Sequence, residues 1–163
     1  MARETNIIEQ LEHDHHIVER IVDDLREAIQ NALRGELEVL ELRDTFSEFV
    51  SVADEELFEH FDREEQVVFP FLIENVPDAQ DSIRRLENAH DRMCGAMIRM
   101  QRIIEEPDDA LFTENFDSLV ALFTRFDANF GRHSREELAL FHKLGEQLGP
   151  EELETLKAML AEL

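Results

Sequence analysis

Two ionisable side chains stand inside an otherwise apolar helical stripe, and that conflict restricts what this chain can fold into. Phe46, Phe49, Ala53, Leu57, His60, Glu64, Val67 and Phe71 recur at steps of three and four, the period of one buried helix face. His60 and Glu64 are one turn apart, so they stack on that face. An imidazole and a carboxylate left unpaired in an apolar seam would be costly. The fold must therefore bring something to satisfy them.

Three further stripes supply candidates. The first runs Ile8, Leu11, His15, Val18, Val22, Leu25, Ile29 on a helix expected from about Thr5 to Leu33. The third runs Ile83, Leu86, His90, Met93, Met97, Met100, Ile104 on a helix from about Asp78 to Glu105. The fourth runs Phe116, Leu119, Phe123, Phe126, Phe130, His133, Glu137, Leu140, Leu144 on a helix from about Thr113 to Leu144. Each carries one histidine, and the fourth repeats the His–Glu pair at the same spacing. The second helix spans about Leu37 to Phe69, and Pro70 is expected to kink or end it because proline lacks a backbone donor. Gly35, Pro77 and Pro107 mark the connections. A short fifth helix from Pro150 should pack Leu153, Leu156, Met159 and Leu160 on the rest.

These elements predict an all-α, up-down-up-down four-helix bundle with a short C-terminal fifth helix, one domain over residues 1–163. In such a bundle, residues on consecutive helices share a level when their midpoint falls in the connecting loop. The midpoint of His15 and His60 falls between Leu37 and Glu38, beside Gly35. That of His60 and His90 falls on Asn75, and that of His90 and His133 between Leu111 and Phe112. All three lie close to an expected turn, so the four imidazoles belong to one layer. Glu64 and Glu137 lie one turn away, on alternate helices.

A single histidine on an apolar stripe is ordinarily a satisfied core residue. Four in one layer with two carboxylates point to metal. Six donors exceed a tetrahedral zinc site. Two metals, each held by two histidines and sharing two bridging glutamates, fit the inventory. Nitrogen and carboxylate ligation with open positions suits iron, and manganese or zinc could enter a misloaded preparation. His13 and His16 fall about 100° to either side of the first stripe and are expected at the rim or in solvent, as is His142. Glu65 points off the second stripe and is expected to be solvated. Glu56 and Asn129, one turn before ligand histidines, are candidates to orient the rings, with an ordinary seam-edge role equally open. Gly131 would permit a neighbouring helix to come close.

On these residues the chain resembles the hemerythrin-like (HHE cation-binding) family over essentially its whole length. The matching pattern is Asp14-His15, His60 to Glu64 followed by Phe69-Pro70, Glu87-Asn-Ala-His90, and His133 to Glu137. The resemblance implies that His15, His60, Glu64, His90, His133 and Glu137 bind two Fe ions with a bridging oxo or hydroxo group. Oxygen-carrying members have a fifth histidine where this sequence has Cys94. With four histidines both irons keep a vacant or water-filled position, which favours chemistry on nitric oxide, peroxide or dioxygen over simple reversible carriage. The four-histidine, two-glutamate set looks most like di-iron proteins of nitric oxide stress and iron-centre repair; those carry a cysteine-bearing N-terminal segment that is not expected here. Cys94 is read as a small core residue before a weak ligand or redox-active thiol.

The expected activity is that of an oxidoreductase, a nitric oxide reductase or a peroxidase- or catalase-like enzyme, drawing on an unidentified electron donor. The alternatives are a protein that reversibly binds or senses dioxygen or iron without turnover, and an interaction module with a structural site. A chain without Tyr or Trp offers no readily oxidised aromatic for radical storage. The formal charge of -23 argues against nucleic acid and anionic membrane as partners. The sequence contains no secretory or membrane-spanning run, and a lone cysteine suits a reducing compartment. A cytoplasmic monomer or weak homodimer is expected.

Overall fold

The computed structural model describes residues 7–163, with the side chains of Ile7, Ile8, Gln10 and Leu11 excepted. The start of the first helix near Thr5, and Ile8 and Leu11 of its stripe, thus lie outside the described residues. Helix α1 spans Ile7–Leu33. A 3-10 turn at Val39–Glu41 leads into α2, Leu42–Arg63. A π turn at Glu64–Val68 joins α2 to α3, Phe69–Asn75. Then follow α4 (Gln80–Ile104), α5 (Asp109–Glu114), α6 (Phe116–Gln147) and α7 (Pro150–Ala161). Helix α1 packs on α2 and α6, and α4 packs on α2 and α6, which closes an up-down-up-down bundle. No described helix is long and apolar enough to cross a membrane.

The connections follow from local chemistry. Helix α1 ends in a Schellman motif: the Glu36 N–H donates to the Asn31 carbonyl and the Gly35 N–H to the Ala32 carbonyl. This motif needs a left-handed residue, and Gly35 has φ +76°. Asp78 also has a positive φ, 67°, so α4 begins at Gln80 rather than at Asp78. Asp108 caps α5 by accepting from the Ala110 and Leu111 N–H groups at 2.8 and 3.2 Å. Asn115, at φ -91° and ψ 4°, separates α5 from α6. The expected fourth helix corresponds to α6, and the connection before it carries the short α5, which the apolar stripes do not mark.

Pro70 does not end the second helix. It sits in the first turn of α3, where its missing N–H is not needed. The turn before it widens so that the Phe69 N–H reaches back five residues to the Glu64 carbonyl. A single-turn π bulge of this kind keeps the chain helical past a proline.

The four stripes are buried throughout their described residues. Two apolar clusters result. The larger joins Val18, Phe46, Phe49, Leu57, Met93, Met100, Phe123 and Phe126 across the bundle. The smaller joins Val68, Phe69, Leu72, Ile83, Leu86, Leu140 and Leu144 at the other end, where Leu156 of α7 caps it with Leu153 and Leu160 alongside. Met159 is instead 39% exposed and takes no part in the cap. Each fully buried side chain of this size contributes about 1.5–3 kcal/mol.

Gly131 was expected to admit a neighbouring helix. A Cβ there would meet only the Arg135 Nη1 atom at 3.5 Å, so no such approach exists. The two glycines should consequently respond in opposite senses. Gly35→Ala should lower unfolding free energy by about 1 kcal/mol, the strain of a left-handed alanine. Gly131→Ala should raise it by up to about 1 kcal/mol through helix propensity. Urea titrations followed by circular dichroism measure both.

Candidate metal centre

The two apolar clusters leave one polar layer between them. His15 enters it from α1, His60 from the last turn of α2, Glu64 from the start of the π turn, His90 from α4, and His133 and Glu137 from α6. Their exposures are 7, 0, 0, 2, 1 and 1%. The structure thus brings all six candidates together in one dry cross-section.

Their donor atoms fall into two groups. In the first, His15 Nε2 and His60 Nε2 lie 2.9 Å apart. His60 Nε2 is 2.6 Å from Glu64 Oε1 and 3.5 Å from Glu137 Oε1, and His15 Nε2 is 3.4 Å from the same Glu137 oxygen. In the second, His90 Nε2 is 3.1 Å from Glu64 Oε2, His133 Nε2 is 2.6 Å from Glu137 Oε2, and the two Nε2 atoms are 3.3 Å apart. Within each group all four ligand atoms lie within 4.8 Å of one another. Both carboxylates belong to both groups, each offering one oxygen to either side.

Hydrogen bonding does not account for this crowding. Glu64 Oε1, Glu64 Oε2 and Glu137 Oε2 are buried and accept no directed hydrogen bond, although imidazole nitrogens stand as close as 2.6 Å. The nitrogens and oxygens point at shared positions between them, and a cation at each position would satisfy carboxylate oxygens that no hydrogen bond satisfies. The residues therefore fit a pair of metal ions.

Protons take up part of the charge when no cation does. Burial and the charge of Glu137 push Glu64 well above the ordinary carboxylate range. Burial acts on Glu137 in the same sense, but its close polar contacts with Glu64 and His133 hold it well below that range. Burial disfavours the imidazolium of His60, yet the Glu64 charge and the Asp14 contact outweigh it and raise this histidine well above normal. Burial drives His15 down to about 4 and His90 down to about 3, which keeps both rings neutral with lone pairs free for a metal.

The outer ring nitrogens are held by carboxylates. His60 Nδ1 lies 3.0 Å from Asp14 Oδ2, which also faces Arg63 at 3.6 Å. His90 Nδ1 lies 2.8 Å from Glu65 Oε1. A carboxylate behind a ligand histidine fixes its tautomer and raises its basicity. Glu65 corrects the expectation of a purely solvated residue: it is partly exposed, but the wide π turn rotates it less far from Glu64 than an α turn would, and it reaches His90. Glu56 and Asn129 make no bond to a ligand ring among the described residues, so Asp14 and Glu65 hold the role foreseen for them. Asp14 adjoins His15 in sequence, yet serves the histidine of the next helix. No spacing rule within one helix exposes that pairing.

Aromatic rings close the layer. His90 stacks on Phe61 at 3.8 Å and 14°, with Phe69 near-parallel at 5.8 Å. Phe130 meets His15 edge-on at 5.8 Å. His13, His16 and His142 are exposed. Cys94 is half-buried against the larger cluster and belongs to neither donor group; burial and nearby carboxylates push its thiol up to about 11.

Residues 6–144 match the model of the hemerythrin HHE cation binding domain. The chain belongs to this family. Comparison with curated proteins and with solved structures gives no match. The hemerythrin match ends at Leu144 in the last turn of α6, so α7, which caps the smaller cluster, lies beyond it. Family membership and the buried His/Glu cluster together fit cation binding.

The outer carboxylates give this site a direct test. Glu65→Gln should weaken cation binding about 10- to 100-fold, measured by competition with a chromophoric chelator. Glu56→Gln, which touches no ligand ring, should change it by less than about twofold.

Proposed function

We propose that this hemerythrin-family protein holds two iron ions in the polar layer and uses them to bind and reduce a small ligand: nitric oxide, hydrogen peroxide or dioxygen. One observation carries the reading. Two four-donor groups share both carboxylates, with Oε1 of Glu64 and of Glu137 in one group and Oε2 of each in the other. Two sites bridged by carboxylates are what a dinuclear centre requires, and imidazole with carboxylate suits iron.

Bound iron would supply the redox electrons, which no side chain of this chain offers readily. The protein contributes the rest. His15 and His60 would hold one ion, His90 and His133 the other, and Glu64 and Glu137 would fix the distance between them. Asp14 and Glu65 orient His60 and His90 through their Nδ1 atoms, so those imidazoles keep Nε2 aimed inward. Phe61, Phe69 and Phe130 exclude bulk water from the layer, which strengthens every charge interaction inside it. Each ion would have two imidazole nitrogens and two carboxylate oxygens available from this chain, which would leave room for a small molecule beside it. Cys94 supplies no further donor. An external electron donor would restore the reduced state between turnovers.

The test is spectroscopic and then kinetic. Anaerobically iron-loaded protein should bind about two irons per chain and give the Mössbauer signature of a coupled pair. His60→Ala/Glu64→Ala should abolish it; persistence of the signal in that variant would end the proposal. Stopped-flow mixing with nitric oxide or peroxide and excess reductant should then show consumption beyond the amount of protein. A spectral change that reverses with no net consumption would assign the protein to reversible binding instead.

A further inference from the structure

Each four-donor group has one histidine whose outer nitrogen meets a carboxylate, and the two carboxylates stand in unequal surroundings. Behind His60 is Asp14, with Oδ2 3.0 Å from the ring Nδ1. The Arg63 guanidinium stands 3.6 Å from that same oxygen, and its other arm donates to Glu59 Oε2 at 3.3 Å. Behind His90 is Glu65, with Oε1 2.8 Å from the ring Nδ1. Among the described residues no Lys or Arg pairs with Glu65. Its charged neighbours are instead Glu87, Asp91 and Asp62; burial and these carboxylates raise it above the ordinary carboxylate range. Neither His15 nor His133 has a carboxylate at Nδ1 among the described residues.

A carboxylate raises the basicity of the ligand ring in front of it. One that shares its oxygen with a guanidinium does so less, because the guanidinium draws on the same charge. The guanidinium also repels a cation beyond the ring, and at a half-buried residue that repulsion is only partly screened. Both effects fall chiefly on the position at His15 and His60. At the position of His90 and His133, the uncompensated Glu65 and its acidic neighbours act in the opposite sense. The inner donors are alike in kind at the two positions, two imidazoles and an oxygen from each shared glutamate. The difference therefore lies in the outer charges.

We propose that the two cation positions are unequal, that the one at His90 and His133 fills first, and that Arg63 sets the difference through Asp14. Arg63 is a positioning residue. Among the described residues it touches no ligand ring, only Asp14 and Glu59, and it acts on the metal through the carboxylate behind His60. It is the last residue of α2, one place before Glu64. Two successive residues thus serve one position: Glu64 offers it an oxygen, and Arg63 restrains the carboxylate brought to it by α1. The order of filling rests on the two-ion reading above.

Zinc(II), which does not change oxidation state, is the probe. Metal-free protein is given one equivalent, crystallised and measured at the zinc absorption edge, because repulsion between two ions would split stepwise constants in solution even at equal positions. The anomalous peak beside His90 and His133 should be at least about threefold higher than that beside His15 and His60. Arg63→Gln should bring the two peaks to within about twofold of each other, and should tighten the weaker step of a chelator competition by up to about fivefold. Arg63→Lys keeps the charge and should keep the inequality. Thermal melts check that both variants fold. Equal peaks in the unsubstituted protein, or a higher one beside His15 and His60, overturn the proposal. So does a further fall beside His15 and His60 in Arg63→Gln, which would mean that Arg63 only orients Asp14. Two ions that fill equally leave the two-ion reading standing; a protein that takes one ion at any excess overturns that reading and the order of filling together.

Discussion

Glu64 and Glu137 lie buried within one dry layer, and both oxygens of the first and Oε2 of the second accept no hydrogen bond. The remaining architecture accommodates this fact. Two carboxylates held close at low dielectric cannot both stay charged without compensation: burial and the Glu137 charge push Glu64 well above the ordinary carboxylate range, and His60 is raised beside it. An apolar cluster above and another below prevent water from entering to solvate them. The bundle therefore carries at its middle an electrostatic deficit that positive charge relieves, and it tolerates the deficit because packing on both sides is extensive. A site built so is less stable empty than filled, which is how cation binding couples to folding.

The π turn at Glu64–Val68 connects the backbone to this chemistry. Pro70 removes one backbone donor, the preceding turn widens, and the helix continues in a shifted phase. Because the widening begins at Glu64, it leaves that carboxylate in the layer and swings Glu65 toward His90. One proline thus bears on two successive glutamates, an inner one between the donor groups and an outer one behind a histidine. The same shift sends Val67, Val68 and Phe69 into the smaller cluster. Backbone irregularity, ligand orientation and core packing are here one feature.

The apolar stripes, and with them the all-α bundle, were legible in the sequence because helical burial repeats every three or four residues over long spans. The common level of His15, His60, His90 and His133 was legible because bundle topology ties height to distance from a turn. What escaped depended on neighbours remote in sequence. Glu65 looked solvated because ideal helix geometry was applied across a turn that is not ideal. Asp14 was overlooked because its target sits on the next helix. The short α5 escaped because Asp109–Glu114 is too brief to show a helical period, and Met159 was placed in the core because a short helix gives its period few residues to average over.

The central claim is that one layer holds two cations bridged by Glu64 and Glu137. Crystals of metal-loaded protein measured at the metal absorption edge address it most directly. The account predicts two anomalous-difference peaks about 3.5–4 Å apart, one beside His15 and His60, the other beside His90 and His133, both in contact with the two glutamates. A single peak, or density on the surface carboxylates with this layer empty, would contradict it.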